Sequence, residues 1–164
     1  MSEDGGDVAA EAAPASASIA QCVALLRATG DEQKFVGLLF ATKLMKTAED
    51  ATTVFDAAMP FVRRLLLAPK NGEDAGPYRG LALSVLASFG MDPDLAARSE
   101  FSAAASTAAQ MLHDDGSLTA EALRDVVSVL GALLRQPQAL IDPTTLLSTI
   151  VAPVAARVRY ETRP

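Results

Sequence analysis

Apolar residues recur along the chain at the three- and four-residue spacing of an α-helix, and no segment alternates strictly as a half-buried strand would. Ser18 can cap the first helix and Gly30 can end it, while Pro60 is expected in the first turn of a short helix. Caps, glycines and prolines divide the rest of the chain in the same way. The pattern predicts helices at 18–29, 32–46, 50–58, 61–67, 77–89, 93–98, 100–112 and 119–135, and a last helix from 142 onward.

Three of these segments, 35–44, 81–89 and 123–134, are apolar around most of their circumference, so each is expected to be enclosed by neighbours on several sides. They begin near Phe35, Tyr78 and Leu123, which are 43 and then 45 positions apart. Armadillo and HEAT repeats have periods of about 40–47 residues and bury their apolar faces by stacking. The spacing favours an all-α fold, a short armadillo- or HEAT-like α-solenoid of about three helical repeats, over an irregular helical bundle.

The distribution of charged residues distinguishes an N-terminal tail from the rest of the chain. Residues 1–17 contain four acids, no bases and little to bury, so they are predicted to be a disordered acidic tail, with the repeat domain at 18–158 and a C-terminal tail at 159–164. The formal net charge of −6 argues against a nucleic-acid partner, which would need a basic surface. No apolar run reaches the ~18 residues of a transmembrane segment, and no leader pattern is seen, so a cytoplasmic location is expected.

Few residues of the sequence are of the types that catalyse reactions or bind metals. The chain has one cysteine, Cys22, and one histidine, His113, so neither an internal disulfide nor a multi-histidine metal centre can form. Cys22 falls on the apolar stripe of its helix and His113 at a helix end, which indicates structural roles. Paired acids lie at helix boundaries, where aspartate caps backbone N–H groups: Asp92 with Asp94, and Asp114 with Asp115. We therefore predict no catalytic, cofactor-binding or metal-binding residues, with a small helical-bundle enzyme or ligand-binding protein as an alternative.

The last predicted helix has a wide apolar face made of Leu146, Leu147, Ile150, Val151, Val154 and Val158. Burial of six such side chains is worth on the order of 10 kcal/mol, at ~1.5–3 kcal/mol each, so the face will not stay in water. Either packing on the 119–135 helix covers it completely, or the remainder is covered by a protein partner, a second copy or residues of a longer parent chain. The candidate partner-binding residues are Leu146, Leu147, Ile150 and Val154, through which self-association is also expected.

Several segments are similar in order and spacing to the N-terminal part of the neurochondrin family: EQKFVGLLFATK at 32–43, FDA at 55–57, Phe61 with RLL at 64–66, LASF at 86–89 and DPDLA at 92–96. The similarity is close over 19–97 and looser over 98–142. It implies an armadillo-like α-solenoid without known catalytic residues, and the animal members of the family act as cytosolic adaptors in neuronal signalling and neurite outgrowth. The function expected from it is a non-enzymatic scaffold or adaptor that binds proteins. The chain is much shorter than the usual members, so a truncated repeat array that assembles with itself or with a longer chain is the alternative.

Overall fold

The computed structural model describes residues 12–45, 47–68, 75–114 and 118–136, together with 152 and 155. Within these residues the chain forms seven α-helices and no strand, which confirms the predicted all-α class. None of the described helices is long and apolar enough to cross a membrane. The helices are α1 (Ala12–Arg27), α2 (Asp31–Leu44), α3 (Ala48–Leu67), α4 (Ala75–Phe89), α5 (Pro93–Ala96), α6 (Ser99–Asp114) and α7 (Ala120–Leu134).

The first helix begins at Ala12, six residues earlier than the pattern predicts, so Ser18 is not its cap. Most of the additional residues are alanines, which have the highest helix propensity of all amino acids. Pro14 falls in the first turn, where backbone N–H groups have no partner within the helix and a proline loses nothing. α1 therefore starts inside the segment that the charge pattern predicts as a tail.

The chain divides into two compact units, Met1–Ala58 and Met59–Pro164. In the first unit, α1 packs against α2 through a close contact between Leu26 and Gly37. A β-carbon at Gly37 would lie 3.1 Å from the backbone nitrogen of Leu26, so only glycine permits this distance between the helices. The Cys22 thiol is buried in the same contact and donates a hydrogen bond to the Gly37 carbonyl at 3.3 Å.

The prediction that segment 35–44 is enclosed is wrong. One face of α2, with Gly37, Leu38 and Ala41, is buried, while the side chains of Leu39 and Phe40 remain 55% and 44% exposed. An all-round apolar helix shows only that several faces can be buried, and the sequence does not say which of them a neighbour covers. Of the other two segments, 81–89 has no exposed residue. Segment 123–134 has one buried side and one exposed side, with Val127 and Leu134 51% and 48% exposed, so the prediction that it is enclosed is also wrong.

The two short helices predicted at 50–58 and 61–67 are one continuous helix, α3, with Pro60 in its interior. The buried side chains of Val54, Ala58, Val62 and Leu65 follow one stripe in uninterrupted helical phase across the proline. Pro60 lies on the exposed face, where a helix can lengthen its backbone hydrogen bonds and bend. Burial of a single apolar stripe thus outweighs the local tendency of proline to break a helix.

In the second unit, α7 packs against α4, α5 and α6. α5 and α7 begin where the sequence predicts, each at a side-chain cap: Asp92 Oδ1 accepts a hydrogen bond from the Asp94 N–H at 2.9 Å, and Thr119 Oγ1 accepts one from the Ala122 N–H at 3.2 Å. The predicted capping role of Asp92 is therefore confirmed. The Thr119 cap fixes the start of α7, which lines the candidate site described below.

Candidate partner-binding groove

A groove with a volume of about 490 Å³ lies between the first turns of α4 and the start of α7. We call it the α4–α7 groove. It is lined from α4 by Pro77, Arg79, Gly80, Leu81, Leu83 and Ser84, and from the start of α7 by Leu118, Thr119, Glu121, Ala122 and Asp125.

The two helices that form the groove run parallel. Their N-terminal turns line the same groove, and Gly90, directly after α4, lies against Ala132 near the end of α7. Gly90 and Ala132 are 42 positions apart in the chain, as are Gly80 and Ala122, which both line the groove. α4 and α7 therefore run in the same direction from the groove to the contact at Gly90.

Small residues at facing positions keep the groove open. A β-carbon at Gly80 would meet no atom within 4 Å, so the space beside this glycine is empty. Ser84, one turn later, and Ala122, across the groove, also have short side chains. The buried side chain of Leu83 forms an apolar floor, and the partly exposed Leu118 forms part of the wall. The groove can therefore accept an apolar side chain from outside.

Two carboxylates give the groove an acidic side. Glu121 and Asp125 are four residues apart on α7 and hence on the same face of that helix. Partial burial raises the pKa of Asp125, the Glu121 carboxylate raises it further, and Arg124 acts in the opposite direction. Desolvation that raises the pKa of a carboxyl also strengthens its interaction with an incoming cation or hydrogen-bond donor.

Among the described residues that line the groove, the one basic side chain, Arg79, is buried. Arg79 donates a hydrogen bond from its guanidinium group to the carbonyl of Ala68, just after α3, which holds it against the end of that helix. Glu121, by contrast, is exposed. In the described part of the chain, no group of three or more histidine, cysteine, aspartate or glutamate side chains is arranged to hold a metal ion.

Cys22 has the surroundings of a structural thiol. Its side chain is 0% exposed, and burial raises its pKa, so the reactive thiolate is disfavoured. The hydrogen bond to the Gly37 carbonyl occupies its donor. These observations agree with the structural role predicted for Cys22.

The residues predicted to bind a partner, Leu146, Leu147, Ile150 and Val154, lie outside the described residues, as does the last predicted helix apart from Ala152 and Ala155. The side chains of His113 and Asp114 also lie outside them, and Asp115 does too. Sequence reasoning missed the α4–α7 groove. Its one available signal was Gly80, a glycine inside a strongly apolar helix, which usually has a reason in packing or binding.

The model of the neurochondrin family matches residues 13–151. The chain belongs to the neurochondrin family. This confirms the family resemblance found in the sequence, and the matched range contains α2 to α7 and every residue that lines the groove. No curated protein and no solved structure matches the chain.

Proposed function

We propose that this neurochondrin-family chain is a non-enzymatic protein-binding scaffold, and that its α4–α7 groove receives a segment of a partner protein. The observation that carries the proposal is the combination of an open space beside Gly80, an apolar floor at Leu83 and a partly buried carboxylate at Asp125. Protein interfaces obtain most of their affinity from a few anchors that enter such pockets.

The parallel arrangement of α4 and α7 supports an armadillo- or HEAT-like solenoid. In stacked helical repeats, equivalent helices of successive repeats lie side by side in the same direction, one repeat period apart. The offset of 42 residues between Gly90 and Ala132 is close to the period of 43 to 45 residues expected from the sequence. On this interpretation α4 and α7 are equivalent helices, and the groove lies between two repeats.

The non-enzymatic part of the proposal is supported by Cys22. The chain has no other thiol, and this one is buried in the contact between α1 and α2 with a raised pKa. A nucleophilic cysteine needs the opposite, a lowered pKa and access to substrate. The use of a single, buried cysteine, which can form no disulfide within the chain, also supports the cytoplasmic location that forms part of the proposal.

The experiment uses a photo-crosslinking amino acid, benzoylphenylalanine, in place of Pro77, an exposed residue of the groove lining, to label bound proteins in a cell extract while the space beside Gly80 stays free. We expect a discrete set of crosslinked proteins that excess unlabelled wild-type protein removes by competition. As a competitor, Gly80→Phe should fail, because the phenyl ring fills the space that the partner needs. Since that space is empty, the substitution should leave the fold intact, which circular dichroism checks.

The matched control competitor is Val127→Phe, which adds the same ring to an exposed position of α7 outside the groove. It should compete as well as the wild-type protein. If Gly80→Phe and Val127→Phe compete equally well, the crosslinked proteins do not occupy the groove and the proposal is wrong. It is also wrong if excess wild-type protein prevents the crosslinking of none of the labelled proteins.

A further inference from the structure

α2 presents an apolar face to solvent. Val36, Leu39 and Phe40 are 42%, 55% and 44% exposed, and they lie opposite the buried face of the same helix. Side chains at these spacings fall on one side of a helix. Exposed apolar side chains that adjoin one another in this way indicate an interaction surface, whereas scattered single ones do not.

Charges stand at both ends of this face. Glu32, in the first turn of α2, and Lys43, in the last turn, are exposed. At 3.6 residues per turn, both side chains fall within the angular range of Val36 and Leu39. We call the surface formed by Glu32, Val36, Leu39, Phe40 and Lys43 the α2 face.

The α2 face is complementary to itself. When two copies are placed antiparallel, Glu32 of one copy lies opposite Lys43 of the other, and Val36 lies opposite Leu39. Phe40 lies at the same edge of the face in both copies, so the two Phe40 side chains are on the same side of the interface. The same pairs occur again on the other side of the two-fold axis, as an isologous interface requires. A parallel arrangement would instead place like charges together at both ends.

We propose that the α2 face binds the α2 face of a second copy of this chain, forming an antiparallel, two-fold symmetric dimer. The charges of the α2 face determine which partner fits it. A partner must supply a base opposite Glu32, an acid opposite Lys43 and apolar side chains between them. The chain itself supplies all of these in the correct order. This interface is separate from the function proposed for the α4–α7 groove, and either proposal can fail without the other.

The test measures dimer dissociation by sedimentation velocity over a wide range of protein concentrations. Glu32→Lys and Lys43→Glu should each weaken the dimer at least about tenfold, because each turns two attractive pairs into two repulsive ones. An equimolar mixture of the two variants should dimerise again. In the mixed dimer the Glu32→Lys copy supplies one lysine at each end and the Lys43→Glu copy supplies one glutamate at each end, so both pairs are attractive.

The apolar part of the face is tested with a matched pair of variants. Leu39→Glu should abolish the dimer, while Leu67→Glu, at a position that is 66% exposed on α3, should leave it unchanged. A wild-type protein that stays monomeric at all concentrations would overturn the proposal. So would a dimer that is indifferent to the charge reversals, which would place self-association elsewhere, or a mixture of the two variants that fails to associate.

Discussion

Gly90 lies so close to Ala132 that a β-carbon at position 90 would come within 2.8 Å of the Ala132 β-carbon and 3.1 Å of the Phe101 ring. None of the described glycines has a positive φ, so Gly90 is not required by the backbone conformation. Its role is to let the end of α4 approach α7. We expect Gly90→Ala to lower the free energy of unfolding by about 1–3 kcal/mol through overpacking, as measured by urea denaturation.

The control for Gly90→Ala is Gly80→Ala in the same helix. Since a β-carbon at Gly80 meets nothing, only the higher helix propensity of alanine acts there, and stability should rise by up to ~1 kcal/mol. In the Gly90→Ala background, Ala132→Gly should recover part of the loss because it removes the nearer of the two clashes. Equal gains in stability from Gly90→Ala and Gly80→Ala would show that the helices are not in close contact.

Sequence reasoning predicted the parts of the fold that depend on local chemistry. Asp92 and Thr119 were recognisable as caps because aspartate and threonine at such positions bond to backbone N–H groups a few residues ahead. It failed where the structure depends on a contact between residues that are far apart in the sequence. Gly90 was interpretable only as a helix end, since the sequence does not show that Ala132 and Phe101 pack against it. For the same reason, the space beside Gly80 was not predictable.

Pro60 provides a second prediction, because it lies inside α3, where proline lacks the N–H that would bond to the carbonyl four residues earlier. Pro60→Ala should supply that hydrogen bond and remove the steric conflict of the ring. The larger conformational entropy of the unfolded chain offsets part of the gain. We expect the free energy of unfolding to rise by about 1–2 kcal/mol.

The control for this substitution is Pro77→Ala, in the first turn of α4, where the N–H has no partner within the helix. It should change stability by less than ~0.5 kcal/mol. A loss of stability in Pro60→Ala would contradict the prediction and would mean that the packing of α3 depends on the bend at the proline.

The acid dependence of stability should show opposite contributions from two carboxyls. The pKa of Asp125 is raised, mainly by desolvation, so its ionised form destabilises the native state above the usual carboxyl pKa of about 3.9. The pKa of Glu100 is lowered, first by a hydrogen bond to its own backbone N–H and then by the Ser99 hydroxyl. Its stabilising contribution is present above the unfolded pKa and is lost as the pH falls through the folded pKa.

At neutral pH, Asp125→Asn should therefore raise the free energy of unfolding and Glu100→Gln should lower it. As the pH falls, the difference for Asp125→Asn should disappear first, and the difference for Glu100→Gln only after the pH has fallen through the lowered folded pKa of Glu100. Urea denaturation at neutral and acid pH measures them. Changes of the same sign in the two variants would contradict the assigned surroundings of Asp125 and Glu100.

The single cysteine allows the contact between α1 and α2 to be followed directly. Cys22 is buried and its pKa is raised by burial, so a thiol reagent should label the native protein much more slowly than the unfolded chain. Under conditions in which the helices reclose faster than the reagent reacts, the labelling rate follows the population of the open form.

Gly37→Ala should increase that rate, because a β-carbon at position 37 would lie 2.9 Å from the Leu26 side chain and force α1 away from α2. Each 1.4 kcal/mol of lost stability corresponds to about a tenfold faster rate. Gly131→Ala is the matched control: its β-carbon meets only the Arg135 guanidinium, at 3.9 Å, so labelling should be no faster than in the wild-type protein. If Gly37→Ala and Gly131→Ala are labelled at the same rate, the close approach of Leu26 to Gly37 does not control access to the thiol.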